Sequence, residues 1–255
     1  MPENVSEFWF TPHSFCEKYG YSYRGFELYG TVHMFWLLLC FSLCVFGGML
    51  YKRSSEKTRR AVLCTISGVL LTLEMIKYAS LILTGQWEWQ FLPLHLCTIN
   101  IYVIFLYVLH PNDLIAELLY AVCMPGAAIA LVSPSWTQVP VNNFLHIDSS
   151  LTHVLLILFP VLLLWGGFTP SLKRLWKVVL ILAALCVPIY IIDIVLNEDF
   201  FFLNGDNTNP VLVFLGDVFP DYRMGMPVVA AIAWAVMYLP WTLKSRKKLN
   251  TECNN

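Results

Sequence analysis

Within Phe91-Leu-Pro-Leu-His-Leu-Cys97, a proline, an imidazole and a thiol fall inside five residues. The segment opens a hydrophobic run long enough to cross a bilayer. Ionisable groups are costly inside a membrane, so each one marks a candidate functional position. A thiol with an imidazole in reach permits nucleophilic catalysis, because the thiolate is the attacking species and the imidazole can take its proton. On a regular helix, at ~100° per residue, His95 and Cys97 point about 200° apart and cannot form that pair. Pro93 relaxes the constraint by removing a backbone hydrogen bond. Cys97 and Asn100, about 60° apart, share a face. The imidazole for Cys97 is therefore sought on another helix. His153, in Ser150-Leu-Thr-His153, is the best candidate, and Glu74 is the candidate for an acid that orients it. Glu74 and Lys77 lie three residues apart on one helical face, where they can neutralise each other.

These groups are carried by an apolar chain. Of 255 residues, 58% are hydrophobic and 13% are charged, with a mean hydropathy of +0.63. A soluble domain carries about a quarter charged residues. The net charge of -1 offers no basic face for nucleic acid. Seven runs near the ~20 apolar residues of a bilayer span fall at 30–51, 61–84, 89–109, 114–133, 149–167, 175–196 and 224–243. The expected class is all-α: a polytopic membrane protein of seven transmembrane helices. It has a 1–28 aromatic-rich extramembrane segment, a 29–245 transmembrane domain and a 246–255 basic tail. No signal peptide is apparent at the start. Twelve of the 16 Lys and Arg cluster at Lys52, Arg53, Lys57, Arg59, Arg60, at Lys173, Arg174, Lys177, and at Lys244, Arg246, Lys247, Lys248. Seven spans put all three clusters on one side, which the positive-inside rule makes cytoplasmic. The N-terminus is then outside or lumenal, with a glycosylation sequon at Asn4.

Depth along each span follows from ~1.5 Å per residue. The outer half collects His33 of the first span, Glu74 and Lys77 of the second, and His95, Cys97 and Asn100 of the third. It also collects His153, about one turn into the fifth span, Asp193 and Asn197 ending the sixth, and Arg223 opening the seventh. Groups from six helices at one depth predict a polar cavity open to the outer leaflet. Cys97 and His153 are its catalytic candidates. His95, Glu74, Lys77, His33, Asn100, Asn197 and Arg223 are its supporting or substrate-binding candidates. An acyl group from a membrane lipid is the natural substrate at this depth. The eight cysteines form no Cys-x-x-Cys pair, so neither a disulfide framework nor a metal site is expected. No cofactor is expected, since no P-loop, HExxH or GxSxG motif occurs. The apolar stretch Val211–Pro220 is too short to span and is expected to be interfacial or re-entrant over the cavity mouth.

The Leu92-Pro-Leu-His95-Leu-Cys97 motif, His33 and Ser150-Leu-Thr-His153 resemble the YwaF-like integral membrane proteins, which are related to the transmembrane protein 164 acyltransferases. The run from Asn197 through Phe202-Leu203 to Asn209-Pro210, Gly216, Pro220 and Tyr222 carries the same resemblance. It covers about residues 25 to 245. It implies a seven-helix membrane protein that transfers fatty acyl chains between phospholipids, with a Cys and a His as the catalytic pair. The histidine carries over to His153. In that branch the cysteine directly precedes the histidine of the third helix, where this chain has Leu94. Cys97 lies three residues further on.

Three function classes follow. The first is a membrane acyltransferase or lipid hydrolase acting through Cys97 and His153, with a phospholipid or acyl-lipid as partner. The second is a transporter or channel-like protein whose embedded His, Glu and Lys relay protons. The third is a seven-helix receptor or scaffold without turnover. Each places the chain in a membrane as a multi-pass protein: the plasma membrane in a bacterium, or the endoplasmic reticulum or another endomembrane in a eukaryote.

Overall fold

The computed structural model describes residues 7–9, 25–204 and 210–253. Asn4 and most of the aromatic N-terminal segment lie outside these residues. Seven helices among the described residues are long and apolar enough to cross a membrane. We number the helices α1 Thr31–Arg53, α2 Glu56–Leu83, α3 Leu96–Leu109, α4 Asp113–Val132, α5 Phe144–Trp165, α6 Leu172–Leu196, α7 Pro210–Val218 and α8 Tyr222–Cys253. All but α7 are spanning helices, and the third span adds a short 3-10 turn, Trp89–Phe91, before α3.

Short polar residues start several of these helices, because their side chains satisfy N–H groups that the first turn leaves open. Ser55 accepts from Thr58 N, Asn143 from Leu145 N, and Ser171 from Lys173 N. Asn112 caps α4 twice, accepting from Leu114 N and Ile115 N at 3.0 Å each. The fifth span therefore begins at Phe144, not at 149. His146, Asp148 and His153 depress hydropathy over its first turns and hide its true start.

α5 is the central helix. In its most apolar window 61% of residues are buried, against 6% in α8. It packs against α1, α2, α3 and α4. Leu70, Ile101, Ile104, Leu119, Leu156 and Phe159 form the core around it. α6 packs against the start of α4, and α7 packs against α8. Val211–Val218 is thus a helical segment lying on α8.

Two prolines stitch the bundle together. Proline lacks the N–H that would bond the carbonyl four residues earlier. Pro160 leaves the Leu156 carbonyl open, and the Cys123 thiol of α4 donates to it at 3.4 Å. Pro125 follows a π-bulge at Leu119–Cys123 and leaves the Ala121 carbonyl open. The Trp234 indole of α8 fills that position at 2.7 Å. At the end of the bundle carrying the basic loops, the fully buried Glu117 accepts from Arg174 Nε at 2.7 Å, from Ser171 N at 3.0 Å and from the Tyr238 hydroxyl. This carboxylate ties α4, α6 and α8 together.

Candidate functional site

The third span is broken rather than kinked. Leu92 is extended (ψ 147), as a residue before proline prefers. The chain turns at Pro93-Leu94, where Leu94 N donates to the Leu92 carbonyl at 2.7 Å. His95 (ψ 143) sits at the cap, and the α-helix begins at Leu96. The regular-helix angle between His95 and Cys97 therefore does not apply. The two side chains nonetheless diverge. His95 Nε2 donates to the Gln90 carbonyl at 2.9 Å, and its ring meets Phe200 edge-on at 5.1 Å. Cys97 falls in the first turn of α3, where open N–H groups and the helix dipole favour negative charge. Its thiol is within electrostatic reach of Lys77 and Glu74 of α2.

Lys77 is the hub of the cluster. Its ammonium donates to Glu74 Oε2 at 2.7 Å. It also interacts electrostatically with Asp148, Cys97 and His153. Depth explains the meeting: Glu74 lies nine positions before the end of α2, and His153 nine after the start of α5. Each is ~13 Å from the bundle end opposite the basic loops.

His153 is held on two sides. Its Nδ1 lies 2.7 Å from the Ser149 carbonyl. A carbonyl only accepts, so Nδ1 carries the proton and Nε2 keeps its lone pair. The ring stacks on Trp136, with centroids 4.8 Å apart and planes 21° apart. Trp136 is itself fixed by donating Nε1–H to the Ser150 hydroxyl at 3.1 Å. No hydrogen bond joins Cys97 to His153 among the described residues; what they share is Lys77.

The remaining sequence candidates divide by location. Asn100 is buried on α3 and donates to the Leu96 carbonyl at 2.8 Å. His33 accepts from Tyr29 N at 2.9 Å and donates to the Leu131 carbonyl at 2.8 Å, fastening the start of α1 to the end of α4. Asn197 ends α6 in the left-handed conformation, φ 55. Arg223 pairs with Asp221 at 2.5 Å and donates to the Leu203 carbonyl at 3.3 Å. The Arg223 side chain holds the Asp221 carboxyl below the usual carboxylate range. Asp193 joins this second corner. It accepts from Phe200 N at 3.0 Å and interacts electrostatically with His95. The candidate set thus splits into a Glu74–Lys77–Cys97–His153 cluster, a His95–Asn197–Arg223 corner at the α6–α8 connection, an isolated His33, and Asn100, whose amide is bonded within its own helix.

Three groups in or beside the cluster are not among the site residues expected from the sequence. Trp136 sits in a connection, and no spacing rule ties it to His153. Tyr78 neighbours Lys77, with the ammonium 5.3 Å from its ring. Asp148 resembles a helix cap in sequence, yet Asn143 already caps α5, so Asp148 lies inside the helix and only 5% exposed. The Asn142-Asn143 doublet was the available signal for that earlier start. Asp148 Oδ1, Glu74 Oε1, Tyr78 OH and Ser67 Oγ are buried without hydrogen-bond partners among the described residues. Each such group carries a desolvation cost of ~1–3 kcal/mol. Among the described residues no group of three or more His, Cys, Asp or Glu is arranged for a metal ion. Two cavities lie away from the cluster. One of about 190 Å³ is lined by Lys52, Val161, Leu164 and Trp165, and one of about 430 Å³ by the outer face of α2 from Leu71 to Ala79.

The family model of the TMEM164 family matches residues 28–238. The chain belongs to the TMEM164 family. The TMEM164 match spans α1 through Tyr238 of α8 and takes in Glu74, Lys77, Cys97, Asp148 and His153. No curated protein and no solved structure matches the chain. It is an integral, multi-pass membrane protein of the TMEM164 family.

Proposed function

We propose that this protein is a membrane-embedded acyltransferase that moves fatty acyl chains between phospholipids through Cys97 and His153. One observation carries the proposal. A thiol in the first turn of a helix and an imidazole with its Nε2 lone pair free are both within electrostatic reach of one partly buried ammonium, Lys77. The resemblance to the transmembrane protein 164 acyltransferases supports the same pair of residue types.

In the first half-reaction, His153 Nε2 takes the Cys97 proton and the thiolate attacks an ester carbonyl of the donor lipid. The C–O bond of the tetrahedral intermediate breaks, and the imidazolium returns its proton to the leaving glycerol oxygen. A lysophospholipid departs, and Cys97 holds the acyl chain as a thioester. In the second half, an acceptor hydroxyl attacks the thioester carbonyl as Nε2 takes its proton. The C–S bond breaks and the thiolate is reprotonated. Lys77 and the first-turn N–H groups of α3 are the positive ends nearest the developing oxyanion, the kind of arrangement that stabilises such charge. Catalytic hydrogen bonds often tighten only once substrate is bound, so the thiol and imidazole are expected to close on each other around the lipid ester.

The test is acyl exchange on isotope-labelled phospholipid by the purified protein in liposomes. Removing a general base costs ~10²–10⁴ in rate, and His153→Ala should fall in that range. Cys97→Ala should abolish exchange; undiminished exchange in that variant would remove Cys97 as nucleophile. A proton-relay transporter is the second reading. The unpaired oxygens of Glu74 and Asp148 beside Lys77 and His153 favour it. Proton flux across liposomes that disappears in Glu74→Gln would support it.

A further inference from the structure

We propose that Asp148 is the residue that recognises the free hydroxyl of the acyl acceptor, and so distinguishes a lysophospholipid from the intact diacyl donor. The proposal rests on the acyl-transfer reading for what the ligand is, and on separate observations for where it binds. Asp148 is 95% buried in the central helix, and its Oδ1 has no hydrogen-bond partner among the described residues. The charged groups that interact with it are Lys77 and Glu74, both of α2. Lys77 is already bonded to Glu74 Oε2, and Glu74 Oε1 is a second buried acceptor without a donor. No donor of the cluster reaches Asp148 Oδ1. A buried carboxylate oxygen without a partner calls for a donor from outside the chain or a functional role.

The two lipids of an acyl exchange differ in what they bring. A diacyl phospholipid presents only ester oxygens at its glycerol, all acceptors, and these meet a carboxylate unfavourably. A lysophospholipid carries one glycerol hydroxyl, which donates. A hydroxyl donating to Asp148 would come within electrostatic reach of Lys77, the ammonium with which Cys97 and His153 also interact. In the second half-reaction that hydroxyl passes its proton to His153 Nε2, its oxygen bonds to the thioester carbonyl, and the C–S bond breaks to regenerate the thiol. Asp148 exchanges no proton and binds the acceptor.

The experiment measures equilibrium binding of two fluorescent lipids, a lysophospholipid and its diacyl counterpart. The protein is the full chain carrying Cys97→Ala, in detergent micelles, so that no turnover occurs. Leucine is close to aspartate in shape, and removing an unpartnered carboxylate in this way leaves no open polar group. Asp148→Leu should weaken lysophospholipid binding by about tenfold to a hundredfold, the range of a hydrogen bond to a charged group, and leave diacyl binding within twofold. Equal losses for both lipids, or no loss for either, would overturn the proposal. A second measurement needs no change at residue 148. A lysophospholipid analogue lacking the glycerol hydroxyl should bind the Asp148 protein as weakly as the parent lipid binds the Leu variant; binding as tight as the parent would overturn it. These binding ratios do not depend on which residue is the nucleophile. If Cys97→Ala still exchanges acyl chains, the catalytic assignment falls while the Asp148 result stands on its own.

Discussion

His153, the base of the proposed acyl transfer, is set in place by two neighbours. The Ser149 carbonyl fixes the proton on Nδ1, and the Trp136 ring fixes the plane of the imidazole. Small misplacements of a catalytic group can cost ~10²-fold in rate. Trp136→Ala is therefore expected to lower kcat of acyl exchange by about that factor. Trp136→Phe keeps a ring to stack on and should lose far less. Equal losses in the two variants, measured on labelled lipid, would show that stacking is not what Trp136 contributes. At this scale residue type and depth were legible: a thiol, an imidazole, a carboxylate and an ammonium at one level could be read from spacing in apolar runs. Partner identity was not. Trp136 reaches His153 across a connection, and Asp148 has the look of a cap. His33 shows the limit from the other side, since it sits at the expected depth and spends both ring nitrogens on backbone groups.

Prolines decide how the helices are joined. Pro93 ends the 3-10 turn and lets α3 start at Leu96, which puts Cys97 in a first turn. The sequence showed that Pro93 perturbs the span, but period counting cannot tell a kink from a break. Pro125 and Pro160 free two carbonyls that other helices capture. Losing the donor to one of them leaves a buried acceptor open, at a cost of ~1–3 kcal/mol. Trp234→Phe should lower the thermal midpoint in detergent accordingly. Adding Pro125→Ala restores a backbone N–H that can serve the Ala121 carbonyl, so the double variant should be more stable than Trp234→Phe alone. A double variant that is less stable would contradict this account of the α4–α8 contact.

The whole molecule is a central α5 wrapped by α1 to α4, with α6 and α8 fastened at the basic end through Glu117. That carboxylate is fully buried and serves three donors. Breaking a buried pair by removing one partner costs ~3–5 kcal/mol. Arg174 is partly solvated, so Glu117→Gln should fall near the lower end, about 3 kcal/mol in a denaturation titration. Adding Arg174→Met should recover part of the loss, and no recovery would show that the lost charge pair is not the cause. Seven spans were legible because hydropathy reports burial in lipid or protein without needing partners. The fifth boundary was not, since this helix carries its polar groups inward where protein rather than water receives them. The molecule is thus fastened at its basic end through Glu117 and carries the Glu74–Lys77–Cys97–His153 cluster toward the opposite end, where acyl transfer through Cys97 is proposed. The most direct test is mass spectrometry of the protein after incubation with labelled donor phospholipid and no acceptor. An acyl chain in hydroxylamine-sensitive linkage on the Cys97 peptide, absent in His153→Ala, is the expected result. Acyl exchange that proceeds at full rate with Cys97 never acylated would contradict it.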